Sequence, residues 1–386
     1  MPKAPTPFVI DIPTAALDDL RSRLAATRWA RPSPDAGWTR GVPLEYLRQL
    51  AAYWATGFDW PGQQAALNRL PQFTTEIDGQ PIHFVHLRSA AKSALPLVLC
   101  HGWPGSFIEF ARVIAPLVDP AAFGGDAADA FDIVVPSLPG FGFSTPLAGP
   151  GWDLPRTTRA YAELMQRLGY ARYGAHGSDI GSGVAGHLAA YHPDRIAGVH
   201  LASDRGALAF AGVFLPLPPD MTAEEAAELD RLKAGMRDGD GYMRQQETKP
   251  QTLSYGLADS PAGQLAWIVE KFHEWTDPTK PLPEAAVDRD QLLANIALYW
   301  FTNSAGSSAQ FYWETAHTQG GWMAPSAVPQ GWAAFNSHPL MRRVFDPQRQ
   351  AAHWSDFDTG GHFPAMEAPA LLVDDIRAFF RPLRTA

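Results

Sequence analysis

The octapeptide HGSDIGSG, at residues 176–183, places one acidic side chain, Asp179, among closely spaced glycines. It follows an extended segment and precedes a helix-like one, which is the setting of a nucleophile elbow. In that motif, glycines permit a sharp turn that lifts the central side chain above a sheet. The usual occupant is serine, whereas an aspartate is already ionised near neutral pH. We therefore interpret Asp179 as a nucleophile that needs no base to activate it.

A carboxylate nucleophile suits a particular kind of substrate. It attacks amides poorly, because the acyl product falls back, but it attacks an electrophilic sp³ carbon and forms an alkyl ester on the enzyme. Hydrolysis of that ester requires a base for the water and hydrogen-bond donors for the oxyanion. The segment HGWPGS (101–106) follows a predicted strand, where this fold provides one such donor, and the residue after the nucleophile provides the other. The backbone amides of Trp103 and Ile180 are therefore the candidate donors. His362, after the last predicted strand, is the candidate base.

Each of these motifs has a simpler explanation when it is considered alone. The glycine-rich stretch is compatible with a surface turn, HGWPGS with a tight turn, and His362 with a hydrogen-bonded core histidine. Their order along the chain and their positions at strand ends argue against coincidence. Ser178 would be the nucleophile only in an elbow shifted by one residue. His176, His83 and His86 form no metal-ligand cluster, so a metal is not expected.

The elements around the motifs indicate an α/β fold. Apolar runs at 95–100 and 131–135 predict strands that are buried on both faces, and amphipathic segments predict helices between strands. This alternation predicts an α/β-hydrolase fold, with a mostly parallel central sheet and helices on both faces. The predicted divisions are an N-terminal meander (1–92), a first core part (93–205), a helical lid (206–314) and a second core part (315–386).

Local signals also predict individual elements. Thr14 is predicted to cap the first helix, and the Asp78-Gly79 pair is predicted to turn between two antiparallel strands. Thr222 and Glu225 have the spacing of a capping box at the start of a lid helix.

Composition and charge restrict the class of protein. The 386 residues are 46% hydrophobic and 18% charged, which is typical of a globular enzyme. A net charge of −9 argues against a nucleic-acid partner, because such partners bind basic surfaces. The sequence contains neither a membrane-spanning apolar run nor a secretory signal, so no membrane partner is expected. The single cysteine, Cys100, excludes an intrachain disulfide and favours a cytoplasmic location.

Several strings match one known family over nearly the whole chain: RLAATRWARP, YWATGFDW, HGWPGS, PSLPGFGFSTP, LADSPAGQLAWIVEKFHEW and GGHFPAMEAP. On these motifs the chain resembles the microsomal-type and juvenile-hormone-type epoxide hydrolases, including their N-terminal extension. The membrane anchor of the microsomal members is not among the matches, and a soluble, bacterial-type protein is expected. The resemblance implies conversion of a small hydrophobic epoxide to a vicinal diol, without a metal or an organic cofactor and with a role in detoxification.

The resemblance also assigns a role to the lid. In this family two lid tyrosines hydrogen-bond the epoxide oxygen, and the matching positions are Tyr242 in GDGYMRQQ and Tyr312 in AQFYWE. A phenol suits this task because it can donate a proton to the alkoxide without being ionised at rest. Either tyrosine, considered alone, is also compatible with a packing role.

The acid partner of the base departs from the family pattern. Family members carry a glutamate or aspartate after the strand that precedes the histidine strand, whereas this chain has His338 in VPQGWAAFNSHPL. A histidine cannot stabilise an imidazolium as a carboxylate does. Either the acid has moved, or it is missing and ester hydrolysis is impaired, or the register is shifted and Asp346 serves. We favour Asp204, which ends the strand after the elbow, where related dehalogenases carry their acid; pairing with Arg205 or capping of the first lid turn are its alternatives.

Two other functions stay open. A haloalkane-type dehalogenase would share the nucleophile, the base and the acid at Asp204. It would need indole donors for the halide, and Ile180 occupies the position of one of them. A catalytically weak protein that binds a hydrophobic ligand would explain His338. The sequence decides neither the particular epoxide nor whether the chain forms a homodimer.

Overall fold

The structure is a computed structural model that describes residues 4–35, 37–236, 238–318, 321–322 and 324–384. Within these residues, the centre is a nine-stranded sheet with the order β1-β2-β3-β5-β4-β6-β7-β8-β9. The strands are β1 (Thr6–Phe8), β2 (Gln72–Ile77), β3 (Gln80–Leu87), β4 (Leu95–Cys100), β5 (Phe131–Pro136), β6 (Tyr173–Ser178), β7 (Ile196–Asp204), β8 (Gln330–Phe335) and β9 (His353–Phe357). In this order, the neighbouring strands from β5 to β9 are parallel to each other. The pairs β1–β2, β2–β3 and β3–β5 are antiparallel. The predicted mostly parallel sheet is confirmed.

Helices lie before, between and after these strands. Those of the N-terminal segment are α1 (Thr14–Ala25), α2 (Leu44–Thr56) and α3 (Trp60–Leu67), and those between the core strands are α4 (Ala111–Val118), α5 (Leu154–Arg167) and α6 (Ile180–Tyr191). Between β7 and β8 come α7 (Ala223–Gly235), α8 (Gly241–Thr248), α9 (Pro250–Asp259), α10 (Pro261–Trp275), α11 (Pro283–Ala286), α12 (Arg289–Phe301) and α13 (Ser304–Ala316). The last are α14 (Pro339–Phe345), α15 (Pro364–Glu367) and α16 (Pro369–Phe380). In the described part of the chain, none of these helices combines the length and apolar character needed to cross a bilayer.

The middle of the sheet is apolar throughout. In β4, residues 97–100 are fully buried, as expected for a strand with helices over both faces of the sheet. Cys100 therefore belongs to the core, and burial raises the pKa of its thiol. At the edge of the sheet, Asp78 and Gly79 form the predicted turn between β2 and β3, and both have positive φ values, 53° and 75°.

One predicted helix cap is wrong. Helix α1 begins at Thr14 itself, and no side chain caps it. Pro13 precedes the helix with an extended backbone (φ −66°, ψ 146°), so it occupies the capping position although its side chain has no acceptor to offer. The predicted buried face of this helix is confirmed, with Leu17, Leu20 and Leu24 in the core.

The predicted capping box at the start of α7 is confirmed. The Glu225 amide donates to Oγ1 of Thr222 at 3.1 Å, and the Thr222 amide donates to the Glu225 carboxylate at 2.9 Å. Each side chain thus satisfies a backbone donor that the helix itself leaves free. The signal is local, so the sequence predicts it without knowledge of the tertiary fold.

The N-terminal helices are hydrogen-bonded to the helices between β7 and β8. Oη of Tyr53, on α2, donates to the carboxylate of Asp290 at 2.7 Å, and the Arg23 guanidinium, on α1, pairs with Asp259 at 3.1 Å. The guanidinium of Arg289 lies over the Tyr53 ring, 3.5 Å from its centroid. The N-terminal segment therefore supports α9 and α12 as well as extending the sheet.

Candidate active site

Asp179 stands on a sharp turn between β6 and α6. Its φ of 52° and ψ of −128° are strained for a residue with a side chain. Glycines permit the close packing around this turn: a Cβ atom on Gly177 would lie 2.1 Å from the Gly181 carbonyl oxygen, and one on Gly181 would lie 1.9 Å from that of Cys100. Ser178 is the last residue of β6, so the acid and not the serine occupies the elbow.

The segment after β4 meets one oxygen of the Asp179 carboxylate. The Trp103 amide donates to its Oδ1 at 2.9 Å. This approach requires a glycine, since a Cβ atom on Gly102 would lie 2.3 Å from the same oxygen. Ile180 is the first residue of α6, and the amides of a first helical turn have no partner within the helix. The two predicted oxyanion donors therefore lie on the two elements that meet at this carboxylate.

The imidazole of His362 lies between two carboxylates. Its Nε2 is 3.5 Å from Oδ2 of Asp179, and its Nδ1 is 3.0 Å from Oδ2 of Asp204. The other oxygen of Asp204 accepts the Gly206 amide at 2.6 Å. The predicted proximity of Asp204 and His362 is confirmed, and Asp204 also caps the turn that follows it.

The surroundings of His362 favour its protonated form. Burial alone lowers the pKa of an imidazole, but hydrogen bonds to Asp179 and Asp204, together with their charges, outweigh burial and raise the pKa of His362 to about 10. The imidazole of His362 thus has a carboxylate near each of its two ring nitrogens. The backbone of His362 is fixed as well, because its amide donates to the Trp275 carbonyl at 2.8 Å.

The other residues considered for the acid lie elsewhere. Asp346 follows α14, and one of its oxygens accepts the amides of Gln350 and Ala351 at 2.6 Å and 3.2 Å. His338 precedes the same helix and caps it, with Nδ1 accepting the Leu340 amide at 3.2 Å. Both side chains stabilise local backbone structure, and neither is the partner that the base has in this site.

The two lid tyrosines come together above the elbow. Tyr242 on α8 and Tyr312 on α13 have ring centroids 6.1 Å apart. The Trp103 ring stacks on Tyr242 at 4.9 Å, with an angle of 4° between the planes, and meets Tyr312 edge-on at 6.0 Å. Burial, and then the charge of Asp179, raise the pKa of both phenols well above their ordinary value. Both hydroxyls are therefore neutral proton donors near neutral pH.

Lys271 and Trp275, on α10, border the site, and sequence reasoning gave them no role. Nζ of Lys271 lies 5.1 Å from the centroid of the Tyr242 ring, and it is paired with Glu270 at 2.8 Å and Glu274 at 2.7 Å. The Trp275 ring lies 4.9 Å from that of His362. Both residues belong to the string LADSPAGQLAWIVEKFHEW, which was the available signal. A cavity of about 550 Å³ between α8, α9 and α10 is lined in part by Tyr242 and Lys271.

The remaining histidines are bonded within the protein. His83 contacts Gln72 and Ser137, each at 2.9 Å, and His176 contacts His200 at 2.9 Å. Among the residues that the structure describes, no three His, Cys, Asp or Glu side chains form a group that could hold a metal ion. Around Asp179 the structure places an imidazole, the Trp103 amide and two phenols.

Comparisons with known proteins show which family this chain is similar to. The family model "Epoxide hydrolase N terminus" matches residues 5–110, and the model "alpha/beta hydrolase fold" matches residues 96–252. A "Putative epoxide hydrolase" of Stigmatella aurantiaca is 46% identical over 98% of this chain and 85% of its own length. "Epoxide hydrolase 1" of Sus scrofa is 34% identical over 97% of this chain and 88% of its own length.

Solved structures are similar over the whole length as well. The Aspergillus niger epoxide hydrolase has a TM-score of 0.82 and 32% identity, covering 99% of this chain and 97% of that chain. The juvenile hormone epoxide hydrolase from the silkworm Bombyx mori has a TM-score of 0.82 and 30% identity, covering 99% and 94%. The predicted resemblance and the predicted fold are both confirmed. The chain belongs to the epoxide hydrolase family and has the α/β-hydrolase fold.

Proposed function

We propose that this protein hydrolyses an epoxide to a vicinal diol in two steps, through an alkyl ester on Asp179. One observation carries the proposal: the two oxygens of the Asp179 carboxylate have different neighbours. Oδ1 accepts the Trp103 amide at 2.9 Å, while Oδ2 faces Nε2 of His362 at 3.5 Å. One oxygen is thus held by a donor that can stabilise an oxyanion, and the other is available to attack.

In the first step, Oδ2 of Asp179 attacks a ring carbon and the carbon–oxygen bond of the epoxide breaks. The ring oxygen leaves as an alkoxide and takes a proton from the hydroxyl of Tyr242 or Tyr312. These hydroxyls retain their protons at rest, because burial raises the pKa of both phenols. The product of this step is a hydroxyalkyl ester of Asp179.

In the second step, water attacks the ester carbon Cγ and gives a proton to His362, which acts as the base. The bond between Cγ and the ester oxygen Oδ2 then breaks, and the diol leaves with Oδ2 and the second proton of the water. Ester formation removes the charge of Asp179, which is one of the two carboxylates that raise the pKa of His362. The pKa of the base therefore falls when the ester forms, and the imidazole can accept the proton of the water. The proton that the imidazolium gives up replaces the one that the tyrosine lost to the alkoxide, so the phenol is neutral again. Asp204 then stabilises the imidazolium that forms again, while the Trp103 and Ile180 amides stabilise the oxyanion.

The substrate that we propose is a small hydrophobic epoxide, as in a detoxifying enzyme. The aromatic rings of Trp103, Tyr242 and Tyr312 support it, because they surround the nucleophile with apolar surface. We keep the division into a meander (1–92), a core (93–205 and 315–386) and a lid (206–314), with both proposed acids in the lid. The buried, unpaired Cys100 supports a cytoplasmic location, which cell fractionation would test.

Two rival functions can be separated by assay. A haloalkane-type dehalogenase would release halide from haloalkanes, but Ile180 occupies the position of one of the indole donors that such an enzyme needs. A binding protein would show saturable binding without turnover, and the 3.0 Å contact between Asp204 and His362 speaks against an impaired base. Halide release, diol formation and a binding titration on matched carbon skeletons distinguish the three. Light scattering would decide between a monomer and a homodimer.

The mechanism is tested by a single turnover in ¹⁸O water with enzyme in excess over a reactive aryl epoxide. Because water attacks Cγ, the label should appear in the peptide that contains Asp179, while the diol stays unlabelled. The variant Asp179→Asn should form no diol, because a neutral amide is a poor nucleophile. Label that appears first in the diol would mean direct attack of water on the epoxide and would refute the ester mechanism.

A further inference from the structure

Helix α12 presents a row of polar side chains to the loop that carries Trp103. Gln291, Asn295 and Tyr299 are spaced by four residues, so they lie on one face of the helix. Each donates a hydrogen bond to a carbonyl of the loop: Gln291 to Ile108 at 3.1 Å, Asn295 to Pro104 at 2.7 Å and Tyr299 to Gly105 at 2.7 Å. All three side chains are buried, so water does not compete for these bonds.

Asn295 uses both ends of its side-chain amide. Its Nδ2 donates to the Pro104 carbonyl, and its Oδ1 accepts the hydroxyl of Ser106 at 2.7 Å. Asn295 and Ser106 are each 1% exposed. Pro104 follows Trp103 directly. The hydrogen bond from Asn295 that fixes the Pro104 carbonyl therefore also fixes the direction of the Trp103 amide. A helix of the lid thus fixes a donor of the core.

We propose that Asn295, with Gln291 and Tyr299 beside it, is a positioning residue for the oxyanion donor, so that α12 belongs to the machinery of ester hydrolysis and is more than a cover for the substrate. This inference rests on the proposed function, since it assumes that the Trp103 amide stabilises an oxyanion on Asp179. With this role, the proposed lid consists of two parts. Helix α12 is hydrogen-bonded to the loop, whereas α8 carries one of the proposed acids.

The two chemical steps should depend differently on this positioning. In ester formation, negative charge leaves Asp179, so the bond from the Trp103 amide weakens in the transition state. In ester hydrolysis, a full negative charge develops on Oδ1, so the same bond strengthens. A displaced loop should therefore slow hydrolysis much more than ester formation. A merely structural role of Asn295 would affect both steps alike.

The test compares Asn295→Leu with a matched control in the full-length protein. Gln264, on α10, is also 1% exposed, and its Nε2 donates to the Ile296 carbonyl at 3.0 Å, but it makes no bond to the loop. Asn295→Leu and Gln264→Met each remove one buried amide donor at little change in volume. Rapid quenching and mass spectrometry of the intact enzyme with an aryl epoxide would give the rates at which the ester forms and decays.

Asn295→Leu should slow ester decay by about 10-fold or more and ester formation by less than about 3-fold, a fraction of the loss caused by deleting an oxyanion donor. Gln264→Met should lose comparable thermal stability and keep both rates. If Asn295→Leu does not fold, Tyr299→Phe removes a single hydroxyl and should show the same bias toward hydrolysis. Ester decay at the wild-type rate, or equal slowing of both steps, would overturn this role alone. A wild-type enzyme that forms no ester on Asp179 would overturn the proposed mechanism, and this role with it.

Discussion

Replacing Asp204 by asparagine tests its proposed role as the acid partner of His362. The raised pKa of His362, about 10 instead of 6.5, corresponds to about 5 kcal/mol of stabilisation of the imidazolium, at about 1.4 kcal/mol for each tenfold change. The carboxylates of Asp179 and Asp204 both stabilise the imidazolium, and burial opposes them. Asp204 therefore contributes at least about 2 kcal/mol to the stabilisation of the imidazolium. Once Asp179 is esterified, Asp204 is the remaining carboxylate at the ring. Asp204→Asn should therefore slow ester hydrolysis by about 30-fold or more, with ester formation nearly unchanged.

The assay for this prediction is a pre-steady-state experiment. Enzyme is mixed with an aryl epoxide and quenched at intervals, and intact mass spectrometry then reports the fraction of enzyme that carries the added mass of the epoxide. Wild-type enzyme should show little ester at steady state, whereas Asp204→Asn should be almost fully esterified. The asparagine can still accept the Gly206 amide through its Oδ1, so the turn that follows β7 keeps its cap.

Asp346→Asn is the matched control, because Asp346 contacts backbone amides after α14 and the Arg342 guanidinium, away from His362, and its replacement should leave both steps unchanged. Equal ester decay in wild type and Asp204→Asn, or slowing of the same size by Asp346→Asn, would refute the assignment.

The dependence of thermal stability on pH gives a second readout. The pKa of His362 is higher in the folded state than in the unfolded chain, so the carboxylate–imidazolium contacts stabilise the fold below pH about 6.5 and cease to do so as the pH rises toward about 10. Over this interval the Tm of wild type should fall more than that of Asp204→Asn.

Two further predictions concern the base and the acids. His362→Gln should form the ester but not hydrolyse it, because no base remains for the water; a steady-state rate of diol formation equal to that of wild type would remove His362 from the mechanism. Tyr242→Phe and Tyr312→Phe should each slow ester formation by roughly 10²- to 10⁴-fold, less if one phenol substitutes for the other, and leave ester decay unchanged. Rapid quenching measures both steps, and slowing of ester formation and decay by the same factor would indicate a defect in lid folding instead.

Features encoded locally could be predicted from the sequence. The elbow is one, since the glycines around Asp179 permit a close approach of backbone segments that a side chain would block. The capping box of Thr222 and Glu225 is another, because its partners are three residues apart. Thr14 failed as a cap because the residue before it, Pro13, already provides the extended backbone at the helix start.

Features that depend on distant contacts could not be predicted. Asn295 is hydrogen-bonded to Pro104, 191 positions away in the chain, and no local pattern in either segment predicts this bond. Helix α13 is similar, because its first half, SAGSSA, has low intrinsic helix propensity and the helix is stabilised by burial of residues such as Phe311 and Tyr312. The proposed acid could be predicted in part. His338 stands where the family usually has a carboxylate, which indicated a different position for the acid, and the strand ends indicated where a carboxylate could lie.

The pairing of β7 with β8 bears on the proposed position of the acid. Asp204 and Phe335 are register partners at the carboxyl ends of these two parallel strands, so a side chain from either end starts about one strand spacing from the other. A carboxylate can migrate between the two ends during evolution while the imidazole keeps the same place. A search that requires an acid at a fixed sequence position would classify this chain as inactive, whereas a search for a carboxylate oxygen near Nδ1 of the base would recover it. For families built on parallel sheets, the distance to the imidazole is the better criterion for annotating catalytic competence.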